Sequence, residues 1–222
     1  MNFYEVCKPK NVRDFVPDSE QDLELLELIV TAQVTFPSPA KRAILLHGAY
    51  GSGKTELARL LAKHIEASRV DDFDEDLFFE TFYSCSATGG SALAQEAMPT
   101  AVSFNKSRRH YIILDEIDNL GKQAQKNMKG FITKYDHVVY IMTTNHLERV
   151  DAGLRSRAHL ISFERPSREL WLARCQALLQ EFDVPGEEAF LKDVVHRSQG
   201  DARQILAELE TYVLKHRVRQ AS

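Results

Sequence analysis

The spacing of apolar residues along this chain changes twice, and each change marks a new kind of element. After an arm carrying Pro9 and Pro17, Asp18 and Ser19 offer a helix cap, and Leu23, Leu26 and Val30 follow at helical spacing. Pro37 and Pro39 are expected to end that helix. Ala43-Ile44-Leu45-Leu46 is then a continuous apolar run, and Phe78 to Tyr83, Tyr111 to Leu114, Val138 to Met142 and His159 to Phe163 are four more. Helical or mixed polar stretches separate these runs, with Leu57, Leu60, Leu61 and Ile65 as the clearest helical face. Continuous apolar strands alternating with helices build a parallel sheet covered on both faces, so five strands are expected. Beyond Phe163 the pattern is helical only. Ser167 is placed to cap a helix through Glu181, Pro185-Gly186 begins a second, and Gly200-Asp201 begins a third towards His216. The pattern predicts an α/β domain over residues 1–165 and a small all-α lid over 166–222. It holds no internal repeat.

Composition narrows the class. A chain of 222 residues suits one large α/β domain with a helical appendage. A formal net charge of −4 argues against a generally basic nucleic-acid coat, so any DNA contact must come from a local patch or a surface shared between subunits. Cys7, Cys85 and Cys175 are odd in number and lack C-x-x-C spacing, which fits a reducing compartment and small buried side chains. No stretch approaches the ~18 apolar residues of a membrane span, and Met-Asn-Phe-Tyr-Glu-Val is not a signal peptide. An intracellular protein is expected.

The chemistry begins directly after the first strand. Gly48-Ala49-Tyr50-Gly51-Ser52-Gly53-Lys54-Thr55 is a complete G-x-x-x-x-G-K-[ST] phosphate-binding loop. Its glycines let successive N–H groups turn around a polyphosphate, and the following helix presents its positive end to the same anion. Lys54 reaches the β- and γ-phosphates and Thr55 offers a hydroxyl to Mg²⁺. The expected nucleotide-binding set is Gly48, Ala49, Tyr50, Gly51, Ser52, Gly53, Lys54, Thr55 and Glu56, with Asn145 and Arg203.

Further along, the strand Tyr111-Ile112-Ile113-Leu114 ends in Asp115 and Glu116. Beside a phosphate loop, Asp115 arrives near Mg²⁺ and Glu116 is placed to orient or deprotonate the attacking water. Two adjacent acids imply hydrolysis rather than transfer to a small acceptor, which disfavours a metabolite kinase. Val138 to Met142 runs into Thr143-Thr144-Asn145, where an amide at the carboxyl edge of the sheet can meet the γ-phosphate and the water. Asp151-Ala152-Gly153-Leu154-Arg155-Ser156-Arg157 ends in two arginines that nothing in the same subunit is expected to hold; they could be surface charges or could serve a neighbouring subunit's nucleotide. In Gly200-Asp201-Ala202-Arg203, Asp201 is the expected cap. Arg203 at a helix N-terminus calls for an anion, either a phosphate or Asp201 itself.

Together these residues resemble the AAA+ family, and within it the ATPase subunits of sliding-clamp loaders of the replication factor C and phage clamp-loader type. The resemblance runs nearly to Arg219. Gly48 to Thr55 matches Walker A, Asp115-Glu116 Walker B, Asn145 sensor 1, and Gly200 to Arg203 the lid motif with the sensor 2 arginine. Leu154-Arg155-Ser156-Arg157 is similar to the Ser-Arg-Cys motif, with Ala158 in place of cysteine; this implies Arg157 as the trans-acting finger, with Arg155 second. Cys7-Lys8-Pro9-Lys10 through Phe15-Val16 is similar to the Tyr-Arg-Pro-Lys arm that lies against adenine, with its first two residues replaced.

The resemblance implies ATP and Mg²⁺, assembly with itself or homologous AAA+ subunits in a ring or spiral, and DNA and a ring-shaped replication protein as partners. It also implies that Ser84 to Ser91 faces the DNA backbone, where Ser86, Thr88, Gly89, Gly90 and Ser91 allow close approach. Lys106, Arg108 and Arg109 are expected to form a solvated turn. The family's helical collar domain would begin where this chain stops. Two functions follow as expectations. The first is an ATP-driven loader acting on DNA in replication, with a clamp or a replicative helicase as cargo. The second is an ATP-dependent scaffold or regulator with low turnover.

Overall fold

The computed structural model describes residues 2–86 and 104–220. By contact the chain divides into two compact units. One comprises residues 24–48 and 54–161, the other residues 1–23, 49–53 and 162–222.

The first unit carries the sheet. Strands β1 (Ala43–Gly48), β2 (Thr81–Ser84), β3 (His110–Asp115), β4 (Val138–Thr144) and β5 (Ala158–Phe163) are ordered β2-β3-β4-β1-β5. The pairs β2–β3, β3–β4 and β4–β1 are parallel. β1 and β4 are buried along their whole length, as strands covered on both faces must be, which is why they read as unbroken apolar runs. The register sets Leu114 beside Met142 and His47 beside Thr144, so the carboxyl ends of β3, β4 and β1 lie side by side. That edge is where open α/β sheets take their ligands.

Helix α2 (Glu20–Val30) begins as expected, with the Ser19 hydroxyl accepting from Asp22 N–H at 3.2 Å. Its end is a correction. Ala32 adopts φ 57°, and the Ala32 and Gln33 N–H groups return to the Ile29 and Leu28 carbonyls, so a left-handed cap stops the helix before Pro37 is reached. Helix α3 (Lys54–Ala67) buries Leu57, Leu61 and Ile65 on one face. Helix α4 (Lys122–Lys134) buries Gln125, Met128 and Ile132. In the last turn of α3, Glu66 is 2% exposed and accepts from Tyr111 Oη at 2.9 Å and from the Ser107 N–H at 2.7 Å, which ties the turn before β3 to α3.

The second unit is helical. Its helices are α1 (Phe3–Cys7), α6 (Arg168–Gln180), α7 (Glu188–Ser198) and α8 (Ala202–Gln220); α5 (Ala152–Ser156) belongs to the sheet unit. Trp171, Cys175, Leu179, Val194, Ile205 and Leu209 form the core, with Phe3, Cys7 and Val16 of the N-terminal arm among them. The sequence pattern groups the arm with the sheet, but its apolar side chains pack with these helices. Arg174 pairs with Asp14, whose other oxygen accepts the Lys10 and Asn11 N–H groups. Ser167 caps α6 by accepting from Leu170 N–H at 3.3 Å. All three cysteines are buried and unpaired. Among the described residues no helix is long and apolar enough to cross a membrane.

Candidate nucleotide site

The loop after β1 needs its glycines. Gly48, Gly51 and Gly53 have φ of 133°, 75° and 87°, conformations that a side chain disfavours. No hydrogen bond among the described residues uses the Gly51 or Gly53 N–H groups, which remain available as donors. Lys54 opens α3, is 6% exposed and donates from Nζ to the Gly48 carbonyl at 3.0 Å. A buried ammonium at a helix N-terminus beside such donors fits a polyphosphate anion. Thr55 and Glu56 follow in the first turn of α3, Ser52 Oγ donates to the Ala49 carbonyl at 2.8 Å, and Tyr50 stands 64% exposed.

The acids of β3 meet that turn within the sheet unit. Thr55 Oγ1 donates to Asp115 Oδ1 at 2.8 Å. A hydroxyl and a carboxylate converging beside a phosphate loop are hard oxygen donors of the kind Mg²⁺ prefers, so the residues fit the ion. Thr143 Oγ1 donates to the same Asp115 oxygen at 2.7 Å and accepts the Glu116 N–H at 2.9 Å. Glu116 sits in the left-handed region, φ 57° and ψ 53°, and its Oε2 accepts from Asn119 Nδ2 at 3.3 Å. Thr144 Oγ1 donates to Asp118 Oδ1 at 2.6 Å. Cys85 lies against this group, its N–H donating to the Asp115 carbonyl at 2.9 Å. Burial, and then the charges of Asp115, Asp118 and Glu116, push its thiol up to about 12, so it stays neutral and inert. Asn145 follows β4 half-buried, with no hydrogen-bond partner for its amide among the described residues.

The two arginines after α5 are held differently from each other. Arg157 donates from Nη1 to the Gly153 carbonyl at 2.9 Å and from Nε to Thr133 Oγ1 at 3.1 Å, so its own chain does explain its position. Arg155 has a buried Nε without a partner among the described residues. Gln125, 3% exposed, donates to the Leu120 and Arg149 carbonyls at 3.0 and 3.2 Å and accepts the Asp151 N–H at 2.7 Å. It joins the segment after Glu116 to the start of α5.

In the helical unit, residues 49–53 meet the first turn of α8. Ala202 N–H donates to the Gly51 carbonyl at 3.1 Å, and Asp201 Oδ1 accepts the Arg203 and Gln204 N–H groups at 2.9 and 3.3 Å. Asp201 is therefore a cap. The Arg203 guanidinium is exposed and has no ion-pair partner among the described residues. In the arm, Cys7 is buried among the helices, while a Cβ on Gly53 would stand 3.4 Å from the Phe15 ring.

Thr143, Thr144, Asp118, Asn119, Gln125 and Thr133 carry contacts that sequence reading assigns to none of them. The one available signal is the pair of hydroxyls at the end of an otherwise apolar strand. Of the DNA-facing segment, Ser84 and Ser86 have hydroxyls 3.0 Å apart, and Thr88, Gly89, Gly90 and Ser91 lie outside the described residues. Lys106, in the turn before β3, donates to the Asp72 carbonyl at 2.9 Å.

The replication factor C large subunit of Pyrococcus horikoshii is 26% identical over 211 residues, covering 94% of this chain and 42% of that protein. Human replication factor C subunit 5 is 25% identical over 219 residues, covering 93% of this chain and 58% of that protein. Among solved structures, the Thermotoga maritima RuvB Holliday junction branch migration motor superimposes with a TM-score of 0.67 at 19% identity, over 92% of this chain and 64% of that one, a likeness of fold. The chain spans less than two thirds of each of these relatives. The ATPase family associated with various cellular activities (AAA) matches residues 44–165, and the chain belongs to that family.

Proposed function

We propose that this chain binds ATP with Mg²⁺ and hydrolyses it as one subunit of a clamp-loader-like assembly acting on DNA in replication. Residues 1–165 would serve as the nucleotide-binding domain and 166–222 as its lid. The observation that carries the reading is the 2.8 Å contact from Thr55 to Asp115, which joins the loop's hydroxyl to the strand acid across the sheet edge. Replication enters through the replication factor C relatives at 25–26% identity.

Gly48 to Gly53 cradle the phosphates, Lys54 neutralises the β- and γ-oxygens, and Glu56 follows in the same turn. Thr55 and Asp115 hold Mg²⁺, which supplies positive charge to the phosphates when bound. Glu116 takes the proton of the attacking water, and Asn145 orients that water and the γ-phosphate. Arg203 closes the lid on the subunit's own nucleotide, while Arg157 is offered to the site of an adjoining subunit, either a second copy or a homologous AAA+ chain. A ring-shaped replication protein, clamp or helicase, is the proposed cargo.

The test is ATP turnover against protein concentration, with and without primed DNA, repeated with any co-purifying ATPase. Specific activity should rise with concentration and with DNA, because a complete site needs two subunits. Flat activity over a range where sedimentation shows only monomer overturns the trans site. ATP binding without turnover in every condition overturns hydrolysis and favours the scaffold.

A further inference from the structure

We propose that Thr143 is a positioning residue for both acids of this site, with one hydroxyl orienting the metal-side carboxylate and the backbone of the proposed base. This rests on the reading of Asp115 and Glu116 as a hydrolytic pair.

The direction of each hydrogen bond follows from the atoms. The Glu116 N–H can only donate, so Thr143 Oγ1 accepts it with a lone pair at 2.9 Å. The single hydroxyl proton is then given to Asp115 Oδ1 at 2.7 Å, which must act as an acceptor. Thr55 Oγ1 gives its proton to the same oxygen. Two hydroxyls converging on Oδ1 fix the rotation of the carboxylate, and Oδ2, which has no partner among the described residues, is aimed by that rotation.

The second half of the role concerns Glu116. A non-glycine residue at φ 57° is held in a sparsely populated conformation, and such conformations persist where the surroundings over-determine them. Acceptance of its N–H by Thr143 is one such restraint. Thr143 is itself fixed, being 2% exposed in β4 and paired with Leu46 of β1, with a β-branched side chain of few rotamers. Valine would fill this buried strand position equally well, so the hydroxyl answers to its two partners and not to packing.

The test compares Thr143→Val, which keeps shape and removes the hydroxyl, with Thr143→Ser, which keeps the hydroxyl, in whichever assembly supports turnover. Expected for Thr143→Val are a kcat lower by about 10-fold or more, a KM within about 3-fold of the parent, and an Mg²⁺ half-saturation raised about 3-fold or more. Thr143→Ser should return both quantities to within about 3-fold of the parent. A Thr143→Val protein with parental kcat and Mg²⁺ dependence overturns the role. So does a Ser variant as impaired as the Val variant, because the defect is then one of packing. If the parent itself fails to hydrolyse ATP, the hydrolytic reading falls separately. Thr143 is then judged by the Mg²⁺ dependence of binding of a fluorescent ATP analogue, and an unchanged half-saturation in Thr143→Val overturns it. Should Thr143→Val lose its cooperative melt, Thr143→Cys replaces it under the same criteria, since its thiol is a weak donor of similar size.

Discussion

The Ala202 N–H donates to the Gly51 carbonyl at 3.1 Å, and the Asp201 carboxylate packs over the same glycine. The first turn of α8 is thus registered directly on the phosphate loop by backbone, and the position of Arg203 one residue later follows from it.

Gly51 should tolerate no side chain. Its φ of 75° disfavours one, and an added Cβ would run into Asp201, which is already engaged in capping α8. Gly51→Ala should lower stability by about 1–2 kcal/mol in thermal or urea melts and weaken nucleotide binding. Combined with Asp201→Ala, the losses should be less than additive, with a coupling of about 0.5 kcal/mol or more. Strict additivity would show that the carboxylate is not what the new methyl meets.

Lys54 and Glu116 should fail in different ways. Lys54 lies buried on the Gly48 carbonyl and is the cation of the loop, so Lys54→Ala should abolish productive ATP binding. Glu116→Gln keeps the size and the backbone hydrogen bond to Thr143, and should retain ATP while stopping hydrolysis, which would trap the proposed assembly. Filter binding and phosphate release separate the two. Turnover at the parental rate in Glu116→Gln removes it as the base.

The legible parts of this site are those where backbone geometry or charge dictates residue type. Gly51 and Gly53 could be read from the sequence because few residues other than glycine accept their φ, and the proposed roles of Lys54, Thr55, Asp115 and Glu116 rest on the charge or oxygen that a phosphate and a metal would demand. Five strands were readable because buried parallel strands are continuous apolar runs. Thr143 and Thr144 were not, because threonine is an ordinary strand residue and its acidic partners lie on another strand and on the turn beyond it. The end of α2 was misplaced for a local reason. Pro37 is the visible breaker, while Ala32, which stops the helix, carries no turn signal in its side chain. The arm offers only Phe3, Cys7 and Val16, too few positions to tell which unit they join.

Alkaline pH should destabilise the fold through its thiols. Burial is the first cause in each case, and it pushes Cys7 up to about 11 and Cys85 and Cys175 up to about 12, from an ordinary 9.0. Folded-state values raised above the unfolded ones mean that this stability is complete below pH 9 and is lost as pH rises towards 11–12, because the unfolded chain releases its protons first. The slope is up to about 1.4 kcal/mol per thiol per pH unit. Tyr111 and Tyr140, also raised chiefly by burial, add to it from about pH 10. Urea melts at pH 8, 9 and 10 should show the decline. The triple Cys7→Ala, Cys85→Ala, Cys175→Ala variant should show a shallower one between pH 9 and 10, and an unchanged slope would remove the thiols as its source.

Arg157 and Arg203 should separate into trans and cis roles. Arg157 is half-buried and its hydrogen bonds go to the Gly153 carbonyl and Thr133 Oγ1. Its removal strands no buried charge, and Arg157→Ala should cost only about 1 kcal/mol of stability. On the proposed trans role, in which Arg157 acts on a neighbour's transition state, nucleotide affinity of the isolated chain should be nearly unchanged while turnover falls by about 100-fold or more. On the proposed cis role, in which Arg203 acts on the subunit's own nucleotide, Arg203→Ala should change both binding and turnover. Mixing decides the matter. Arg157→Ala subunits combined with Lys54→Ala subunits should recover partial activity at interfaces where an intact Lys54 site meets an intact Arg157. Mixtures shown to co-assemble yet no more active than either variant alone would move the finger to Arg155, whose buried Nε has no partner among the described residues, or remove it altogether.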